Sequence, residues 1–421
     1  MKYQVFNSTL SGRLKIIPSK SITHRALICA ALAKGESMIE NPLYANDTLQ
    51  TLEILKHLGT AFLTHLDSIK VIGGTIRHAN EPLNARESGS TIRFLIPVAL
   101  LTEAEEHFIF SPSLAKRPLE TYETLFFQRG IYFEKINGDI FVKGPIIPGE
   151  YIFSGDISSQ FISGLLFVLP LLKEDSEIVI TGSFESKSYV DMTIKVMAQF
   201  GVHVKQNKNT ISIPGNQYYQ NRHFMVENDY SQAAFFLTSA ALNGEITLTG
   251  LKKDSLQGDK KIIEYLSKFG ADVDVTNDQV HVKANTQKPM YIDISNTPDL
   301  GPILFVLGAM SEKPFKIRGI KRLRYKESDR IEAMCHNLDK VGAQYKLSHN
   351  MITFFPSTLK GGVEVSSFND HRICMAMAIL ASHLEDGLII DGVESVGKSY
   401  PNSFEDLSIL GGKYATIENE D

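Results

Sequence analysis

The sequence has few of the features that tie a protein to a membrane, a metal or an oxidising compartment. It contains only three cysteines, Cys29, Cys335 and Cys374, each within an apolar helical pattern. That setting favours buried thiols over a disulfide or a nucleophile. No apolar run is long enough to cross a bilayer. No group of cysteines and histidines has the spacing of metal ligands, so we expect no metal site.

A strong charge and a leader segment are also missing. The formal net charge is −5, which gives no reason to expect nucleic acid or an anionic membrane as a partner. The N-terminal segment MKYQVFNSTLSGRLKI lacks the apolar core of a signal peptide, so we expect a cytoplasmic protein. The length of 421 residues exceeds what one hydrophobic core usually serves, which indicates two domains.

A glycine that ends an apolar helical stretch and precedes a strand recurs six times. Glycine is favoured just past a helix end because it adopts a left-handed backbone at low cost. The successive spacings are 71, 71, 69, 72 and 69 residues. A nearly constant period of this length indicates a repeated supersecondary unit. The six positions are Gly59, Gly130, Gly201, Gly270, Gly342 and Gly411.

Each unit reads as strand, helix, strand, helix, strand, strand. The first helix of each unit is apolar nearly all round, as in SSQFISGLLFVLPLL, and should therefore be buried. We predict an α/β (α+β) fold of two globular domains, each with three βαβαββ units, buried helices and outer sheets. The first domain is residues 14–225. The second is residues 1–13 plus 226–421, because the N-terminal strand YQVFNS can complete the sheet of the sixth unit.

Most units have a lysine or an arginine at a helix start, where the helix dipole disfavours a cation. Such cations are favourable if bound anions lie between them, and their number indicates more than one phosphate or carboxylate. Serines such as Ser90 and Ser231 are explained by helix capping. Asp299 and Glu327 stand out as candidates for proton transfer. Capping by Asp299 and pairing of Glu327 with Arg330 are the alternatives.

Nine ordered segments resemble the 5-enolpyruvylshikimate-3-phosphate synthase family of enolpyruvyl transferases over nearly the whole length. They are SKSITHRALICAAL, ESGSTIRFL, KRPLETY, GDISSQFISGLL, SKSYVDMT, LQGDKKI, RYKESDRIEAM, NDHRICMAMA and GKSYPNSFEDL. The resemblance implies two domains of three units with the active site in the cleft between them. It implies transfer of the enolpyruvyl group of phosphoenolpyruvate to the 5-hydroxyl of shikimate-3-phosphate, with release of phosphate by addition–elimination. The family belongs to the shikimate pathway, is a glyphosate target and needs no cofactor, and we expect a monomer.

The resemblance also assigns residues to the two substrates. Shikimate-3-phosphate is implied to bind Lys20, Ser21, Arg25, Ser158, Ser159, Gln160, Ser186, Tyr189, Asp299 and Lys326. Phosphoenolpyruvate is implied to bind Lys20, Gly89, Arg117, Gln160, Arg330, Arg372 and Lys398. Three residues are implied to be catalytic: Asp299 as the base for the hydroxyl, Glu327 as the acid–base group at carbon 3, and Lys20 as a balancing charge at the reacting centre.

The sequence departs from the family pattern in three segments. Ile17-Pro18 stands where the family usually has Pro-Gly. The segment ESGS replaces Asn-Ala-Gly-Thr, and Phe94 replaces the proline that follows the next arginine. Arg322 stands at a position that commonly supplies an asparagine to the shikimate phosphate, so it is left out of the predicted site.

Two other functions are the alternatives to enolpyruvyl transfer to shikimate-3-phosphate. The related enolpyruvyl transferase acting on UDP-N-acetylglucosamine typically carries a cysteine in a flexible loop, whereas SPSLAKRPLE around Arg117 contains none. A non-catalytic anion-binding repeat protein would keep the cations but would not need Asp299 and Glu327. Phosphate release from the two substrates separates these alternatives.

Overall fold

The computed structural model describes residues 1–418, and they form two compact units. One is Pro18–Val226, and the other combines Met1–Ile17 with the residues from Glu227 onward. Each unit has its own hydrophobic core. The predicted limit at 13/14 differs from this division, because the strand Ser11–Lys15 pairs along its whole length with Glu245–Thr249. Residues 14–17 therefore go with the second unit. Residues 419–421 of the predicted second domain lie outside the described part.

The described residues form thirteen α-helices. In chain order they are α1 (Lys20–Leu32), α2 (Asn46–His57), α3 (Gly89–Ala99), α4 (Pro112–Ala115), α5 (Glu120–Gln128), α6 (Ser159–Val168), α7 (Lys187–Gln199), α8 (Tyr230–Asn243), α9 (Ile262–Phe269), α10 (Gly301–Ala309), α11 (Arg330–Lys340), α12 (His371–His383) and α13 (Ser403–Ile409). The first helix of each unit (α1, α3, α6, α8, α10 and α12) is almost wholly buried, as predicted.

The strands are short, as expected for a chain that builds many small sheets. In chain order they are β1 (Lys2–Phe6), β2 (Ser11–Lys15), β3 (Gly35–Glu40), β4 (Ala61–Thr64), β5 (Ser68–Gly73), β6 (Leu83–Arg86), β7 (Glu105–Phe110), β8 (Tyr132–Ile136), β9 (Asp139–Lys143), β10 (Glu150–Ser154), β11 (Ser176–Thr181), β12 (Lys205–Asn207), β13 (Thr210–Ile213), β14 (His223–Met225), β15 (Glu245–Thr249), β16 (Asp272–Val275), β17 (Gln279–Lys283), β18 (Met290–Asp293), β19 (Phe315–Arg318), β20 (Gln344–Ser348), β21 (Met351–Phe355), β22 (Val363–Ser366), β23 (Leu388–Asp391) and β24 (Lys413–Ile417).

Across residues 1–418 these strands form six four-stranded sheets, one for each repeat. The third sheet has the order β10-β11-β13-β12, with a parallel first pair and two antiparallel pairs. The parallel pair β10 and β11 is joined through α6, β11 leads through α7 to β12, and a hairpin joins β12 and β13. The observed sheets therefore confirm the βαβαββ unit. All six marker glycines have positive φ angles, between 68° at Gly130 and 112° at Gly270.

Three sheets are completed by strands from distant parts of the chain. β1 lies between β23 and β24, which confirms that the N-terminal strand completes the sixth unit. β14 pairs in parallel with β3, and β2 pairs in parallel with β15. The sequence did not predict these last two pairings. β14 is the first strand of the sheet of the first repeat, and β2 is the first strand of the sheet of the fourth repeat. The polypeptide therefore passes from one compact unit to the other twice, after Ile17 and after Val226.

Two expectations from the absences in the sequence can be compared with the structure. All three cysteines are free and buried, as predicted. Within residues 1–418, no helix combines the length and the apolar character that crossing a bilayer requires.

Candidate functional site

The predicted site residues fall into two groups, one in each unit. The first group, called here the Lys20 cluster, lies in Pro18–Val226 and consists of Lys20, Ser21, Arg25, Gly89, Arg117, Ser158, Ser159, Gln160, Ser186 and Tyr189. The second group, called the Asp299 cluster, lies in the other unit and consists of Asp299, Lys326, Glu327, Arg330, Arg372 and Lys398.

Lys20 begins α1, directly after the N-cap residue Ser19, whose hydroxyl accepts a hydrogen bond from the Ile22 amide. The Lys20 ammonium lies 3.0 Å from Oδ2 of Asp47, on α2. Both side chains are largely buried. Asp47 is an acid that the sequence did not single out, because the contact joins two different helices. It offsets the charge that Lys20 brings to a positive helix end.

Arg25 is buried one turn further along α1. Its guanidinium donates to Oγ1 of Thr193 at 2.7 Å and to the carbonyl oxygens of Ser21 and Tyr189 at 2.7 and 3.1 Å. Burial lowers the pKa of Arg25 to about 10, so the group stays charged near neutral pH. These three acceptors are neutral, and a buried charge held by neutral acceptors alone favours an anionic ligand.

Gln160 is held with a defined amide orientation at the start of α6. Arg93 donates to its Oε1 at 2.7 Å, and its Nε2 donates to Oγ of Ser90 at 2.8 Å. Because arginine can only donate, the amide nitrogen of Gln160 must face the other way and keeps a second hydrogen for a ligand. The capping interpretation of Ser90 is wrong, since Ser88 caps α3 by accepting from the Thr91 amide.

Gly89 is the first residue of α3, and the Arg117 guanidinium lies directly against it. A Cβ atom built on Gly89 would lie 2.6 Å from Cζ of Arg117. A side chain at this position would therefore displace the Arg117 guanidinium. Both residues are predicted to bind phosphoenolpyruvate, and the structure brings them together.

The remaining members of the Lys20 cluster begin α6 and α7. Ser158 is the N-cap of α6, with its hydroxyl 3.4 Å from the Gln160 amide, and Ser159 follows it. Ser186 precedes α7 and is buried in a left-handed conformation with a φ of 52°. A side chain rarely adopts this backbone, and it often marks a functional position. Tyr189 lies one turn further and accepts from Arg25 through its carbonyl.

Asp299 is surrounded by three cations. Its Oδ1 accepts from Lys326 at 2.9 Å and from Arg330 at 3.1 Å, and its Oδ2 lies 3.5 Å from an Arg372 nitrogen. Burial by itself raises the pKa of the carboxyl, but the charges of Lys326, Arg372 and Arg330 outweigh burial and hold the pKa well below its ordinary value. The carboxyl is therefore ionised at neutral pH.

Lys326 has a lower pKa than an ordinary lysine and therefore loses its proton at a lower pH. Burial, followed by the charges of Arg330 and Arg322, lowers its pKa to about 8, while Asp299 acts in the opposite direction. Arg322, the residue left out of the predicted site, is itself largely buried. Its charge therefore acts on the same lysine that is predicted to bind shikimate-3-phosphate.

Arg330 is fixed by a second acid. Its Nε lies 2.7 Å from Oδ2 of Asp370 and its NH2 lies 3.2 Å from Oδ1, and both residues are almost fully buried. Burial raises the pKa of the Asp370 carboxyl, but the Arg330 charge outweighs burial and the pKa is lowered. Asp370 also caps α12 at the Arg372 amide. It was visible in the sequence as an aspartate at a helix start, but not as a partner of Arg330.

Glu327 lies between a histidine and an arginine. Nδ1 of His371 lies 2.7 Å from its Oε2, whereas the nearest Arg330 nitrogen is 3.9 Å away. The i,i+3 pairing with Arg330 is therefore present but longer than the contact with His371. Ligand atoms of Glu327, Asp370 and His371 lie within 4.8 Å of one another, close enough to hold a metal ion. The sequence spacing did not suggest this group, and Arg330 already supplies a positive charge to its two carboxylates.

Lys398 lies near the start of α12. Its ammonium donates to the carbonyl oxygen of Asn369 at 2.5 Å, and the side chain is largely buried. Arg372 is the second residue of α12 and donates to the Asp299 carbonyl at 3.3 Å. The Asp299 cluster therefore combines two acids with four cations near the starts of α11 and α12, where Asp370 adds a third carboxylate.

Comparison with known proteins gives one family over nearly the whole chain. The family described as EPSP synthase (3-phosphoshikimate 1-carboxyvinyltransferase) matches residues 6–407. A protein of Clostridium novyi (strain NT) named 3-phosphoshikimate 1-carboxyvinyltransferase is 41% identical over 423 residues, covering 97% of each chain. A protein of Clostridium perfringens (strain ATCC 13124) with the same name is 42% identical over 412 residues, covering 96% of this chain and 97% of that one.

Solved structures share the fold. EPSP synthase from Acinetobacter baumannii superposes with a TM-score of 0.83 at 24% identity, covering 99% of this chain and 100% of that one. The enolpyruvyl transferase NikO from Streptomyces tendae gives a TM-score of 0.79 at 16% identity, covering 98% of each chain. At these identities the two likenesses establish the architecture alone.

Proposed function

The chain belongs to the EPSP synthase family and transfers the enolpyruvyl group of phosphoenolpyruvate to the 5-hydroxyl of shikimate-3-phosphate, and on that premise we propose how its residues carry out the reaction. It is a transferase of the shikimate pathway to aromatic amino acids. The observation that supports the proposed roles best is the Asp299 cluster, in which two acids lie among four cations.

The phosphate of shikimate-3-phosphate binds where cations and serine hydroxyls meet. Arg25 supplies a buried charge whose hydrogen bonds go to neutral oxygens, and such a charge gains most from a dianion. The hydroxyls of Ser158, Ser159 and Ser186 add donors at helix starts. Lys326 binds the same substrate from the other unit, together with Asp299.

Phosphoenolpyruvate carries a carboxylate and a phosphate, and arginine forks match both. Arg117 against Gly89, together with the amide hydrogen that Gln160 keeps, forms one binding group. Arg330, Arg372 and Lys398 form the other. Lys20 serves both substrates and balances charge at carbon 2, with Asp47 holding its ammonium in place.

In the addition step the 5-hydroxyl attacks carbon 2 of phosphoenolpyruvate while carbon 3 gains a proton. The attacking oxygen becomes positive as the bond forms, so its proton becomes strongly acidic and a weak base is sufficient. Asp299 is ionised for that task because neighbouring cations lower its pKa. Bound substrate anions weaken the pull of those cations and make the carboxylate more basic.

Glu327 gives the proton to carbon 3, which becomes a methyl group, and takes one back when phosphate leaves. The elimination therefore returns Glu327 to its protonated state. The proton that Asp299 takes from the 5-hydroxyl ends on the departing phosphate, which leaves as hydrogen phosphate, and Asp299 is again ionised. Nδ1 of His371 lies 2.7 Å from the Glu327 carboxyl. Atoms and protons balance over both steps with groups of this chain and the two substrates alone, so we propose no cofactor. We also propose that the protein acts as a monomer in the cytoplasm.

The function is tested by phosphate release from purified protein with shikimate-3-phosphate and phosphoenolpyruvate. We expect phosphate to appear only with both substrates present, together with a vinyl ether product detected by proton NMR. UDP-N-acetylglucosamine in place of shikimate-3-phosphate should release none. Phosphate release with the nucleotide sugar instead would assign the chain to the related transferase, and binding of both anions without release would leave only an anion-binding protein.

Gly89→Ala is expected to weaken glyphosate inhibition by at least about tenfold and to raise KM for phosphoenolpyruvate by less. The added methyl group overlaps the Arg117 guanidinium, which must move, and a displaced arginine disturbs the longer inhibitor more than the compact substrate. Inhibition constants and KM measured side by side provide the comparison, with a melting curve as the stability control.

The double variant Gly89→Ala/Arg117→Lys tests whether displacement of the Arg117 guanidinium causes the weaker inhibition. Lysine lacks the planar fork that meets the methyl group, so the two substitutions should be non-additive. Equal glyphosate inhibition in wild type and Gly89→Ala would show that the inhibitor binds elsewhere.

A further inference from the structure

A chain of buried hydrogen bonds connects the start of α3 with α1 through α2. Oγ1 of Thr91 donates to Oγ of Ser88 at 2.6 Å and lies 2.7 Å from Oγ1 of Thr51. Oγ1 of Thr51 lies 2.8 Å from Nδ1 of His24. None of the four side chains is more than 1% exposed. None of the predicted site residues belongs to this hydrogen-bond chain, and the proposed mechanism does not use it.

The number of hydroxyl protons determines which group donates in each hydrogen bond of this chain. Thr91 has one hydroxyl proton, which goes to Ser88, with the Asp47 carbonyl as a second acceptor at 3.2 Å. Thr51 must therefore donate to Thr91, and its only proton is then used. It follows that His24 is protonated on Nδ1 and donates to Thr51. Burial, together with the charges of Lys20 and Arg25, lowers the pKa of His24 well below its ordinary value, in agreement with a neutral ring.

The hydrogen-bond chain approaches residues assigned to phosphoenolpyruvate at two points, its Ser88 end and the contact of Thr91 with Asp47. Ser88 caps α3 and directly precedes Gly89. On the other side, Asp47 binds the Lys20 ammonium through its carboxylate and accepts from Thr91 through its carbonyl. The first turn of α3 is therefore tied to the helix that holds Lys20. Arg25, in contrast, is held by Thr193 and two carbonyl groups that are independent of the chain.

We propose that Thr51 and His24 are positioning residues for phosphoenolpyruvate, which fix the first turn of α3 relative to Lys20 through this directed hydrogen-bond chain. The inference rests on the proposed assignment of Gly89 and Lys20 to that substrate. Thr51 contacts neither residue. It acts through Thr91 and Ser88, because each hydroxyl has one proton and the donation from Thr91 to Ser88 fixes the direction of the two bonds behind it.

The test is Thr51→Val, which keeps the shape of the side chain and removes its hydroxyl. Thr91 and His24 each lose a buried partner, so the start of α3 is released. We expect KM for phosphoenolpyruvate to rise about tenfold, because small misplacements of binding groups have effects of this size. Both kcat and KM for shikimate-3-phosphate should stay within about twofold. Thr51→Ser, which retains the hydroxyl, should restore the wild-type KM.

Thr60→Val is the matched control. Thr60 lies in the same unit, is 2% exposed, and its hydroxyl has no hydrogen-bond partner among the described residues. Its replacement should change neither KM. Thr51→Ala removes the same hydroxyl and serves as the second variant if valine does not fold. Failure of both to fold, while Thr60→Val folds, would make Thr51 a structural residue and overturn the positioning role. So would an unchanged KM for phosphoenolpyruvate, or a serine variant that behaves like valine.

A readout without substrates separates this inference from the proposed function. Nitrogen NMR of the ligand-free protein, with the His24 signal identified by its loss in His24→Gln, reports which ring nitrogen is protonated. We expect the Nδ1–H form in wild type and a changed signal in Thr51→Val. An Nε2–H form in the wild-type protein would contradict the proposed hydrogen-bond chain, even if the enzyme is active. The Nδ1–H form in a protein without transferase activity would contradict the proposed function but not the chain.

Discussion

Asp299→Asn is expected to lose turnover by about 10²–10⁴-fold while shikimate-3-phosphate still binds, as is typical when a general base is removed. The asparagine oxygen can still accept from Lys326 and Arg330, so the surrounding geometry is retained. It cannot take the proton of the 5-hydroxyl. Steady-state kcat with both substrates measures the loss, and calorimetric titration with shikimate-3-phosphate alone measures the retained binding.

Asp293→Asn is the control for this experiment. Asp293 is half exposed at the end of β18 in the same unit, and its nearest arginine contact, to Arg318, is 3.9 Å long. Its replacement removes the same charge at a surface position and should leave turnover unchanged. If Asp299→Asn kept more than a tenth of the wild-type kcat, Asp299 would not be the base. A loss of binding equal to the loss of turnover would make it a substrate ligand only.

The repeat could be predicted because its signals are local. A helix that must end in a left-handed residue favours glycine at Gly59 or Gly270, and the structure shows that backbone at both. The buried first helices were equally clear, because residues around the whole circumference are apolar. These two features fix the unit and its number without any knowledge of which strands pair.

The pairings of β2 and β14 could not be read in the same way. β14 has three residues, too few for an alternating pattern, and its partner β3 lies far away in the chain. Partner choice in a sheet depends on the surfaces that meet, and a single strand does not encode it. The predicted domain limit at 13/14 therefore cut through β2.

The polar contacts of the site also divide into local features, which the sequence shows, and contacts between distant segments, which it does not. The helix-start cations were recognisable individually, but the acids that hold them, Asp47 and Asp370, come from other helices. Serine caps were misplaced by small shifts: Asp229, not Ser231, caps α8, and Ser231 donates to Asp259. A sequence shows which residues have the right chemistry, whereas the side chain they contact depends on tertiary packing.

Glu327→Gln is expected to stop proton exchange at carbon 3 of phosphoenolpyruvate as well as turnover, each by about 10²–10⁴-fold. Addition converts carbon 3 into a methyl group, and reversal removes one of three equivalent hydrogens. In D₂O, phosphoenolpyruvate recovered from a reaction mixture with shikimate-3-phosphate should therefore contain deuterium when the wild-type protein is used. Glutamine can keep the contact with His371 but cannot carry the proton.

Proton NMR of the phosphoenolpyruvate methylene signals measures the exchange rate directly. Glu332→Gln is the control, because Glu332 is exposed in the first turn of α11 and is not part of the Asp299 cluster. Exchange and turnover should fall together in Glu327→Gln, since one group adds and removes the same proton. Exchange at the wild-type rate in a variant with reduced turnover would mean that another group protonates carbon 3, and His371, in contact with Glu327, would then be the residue to replace next.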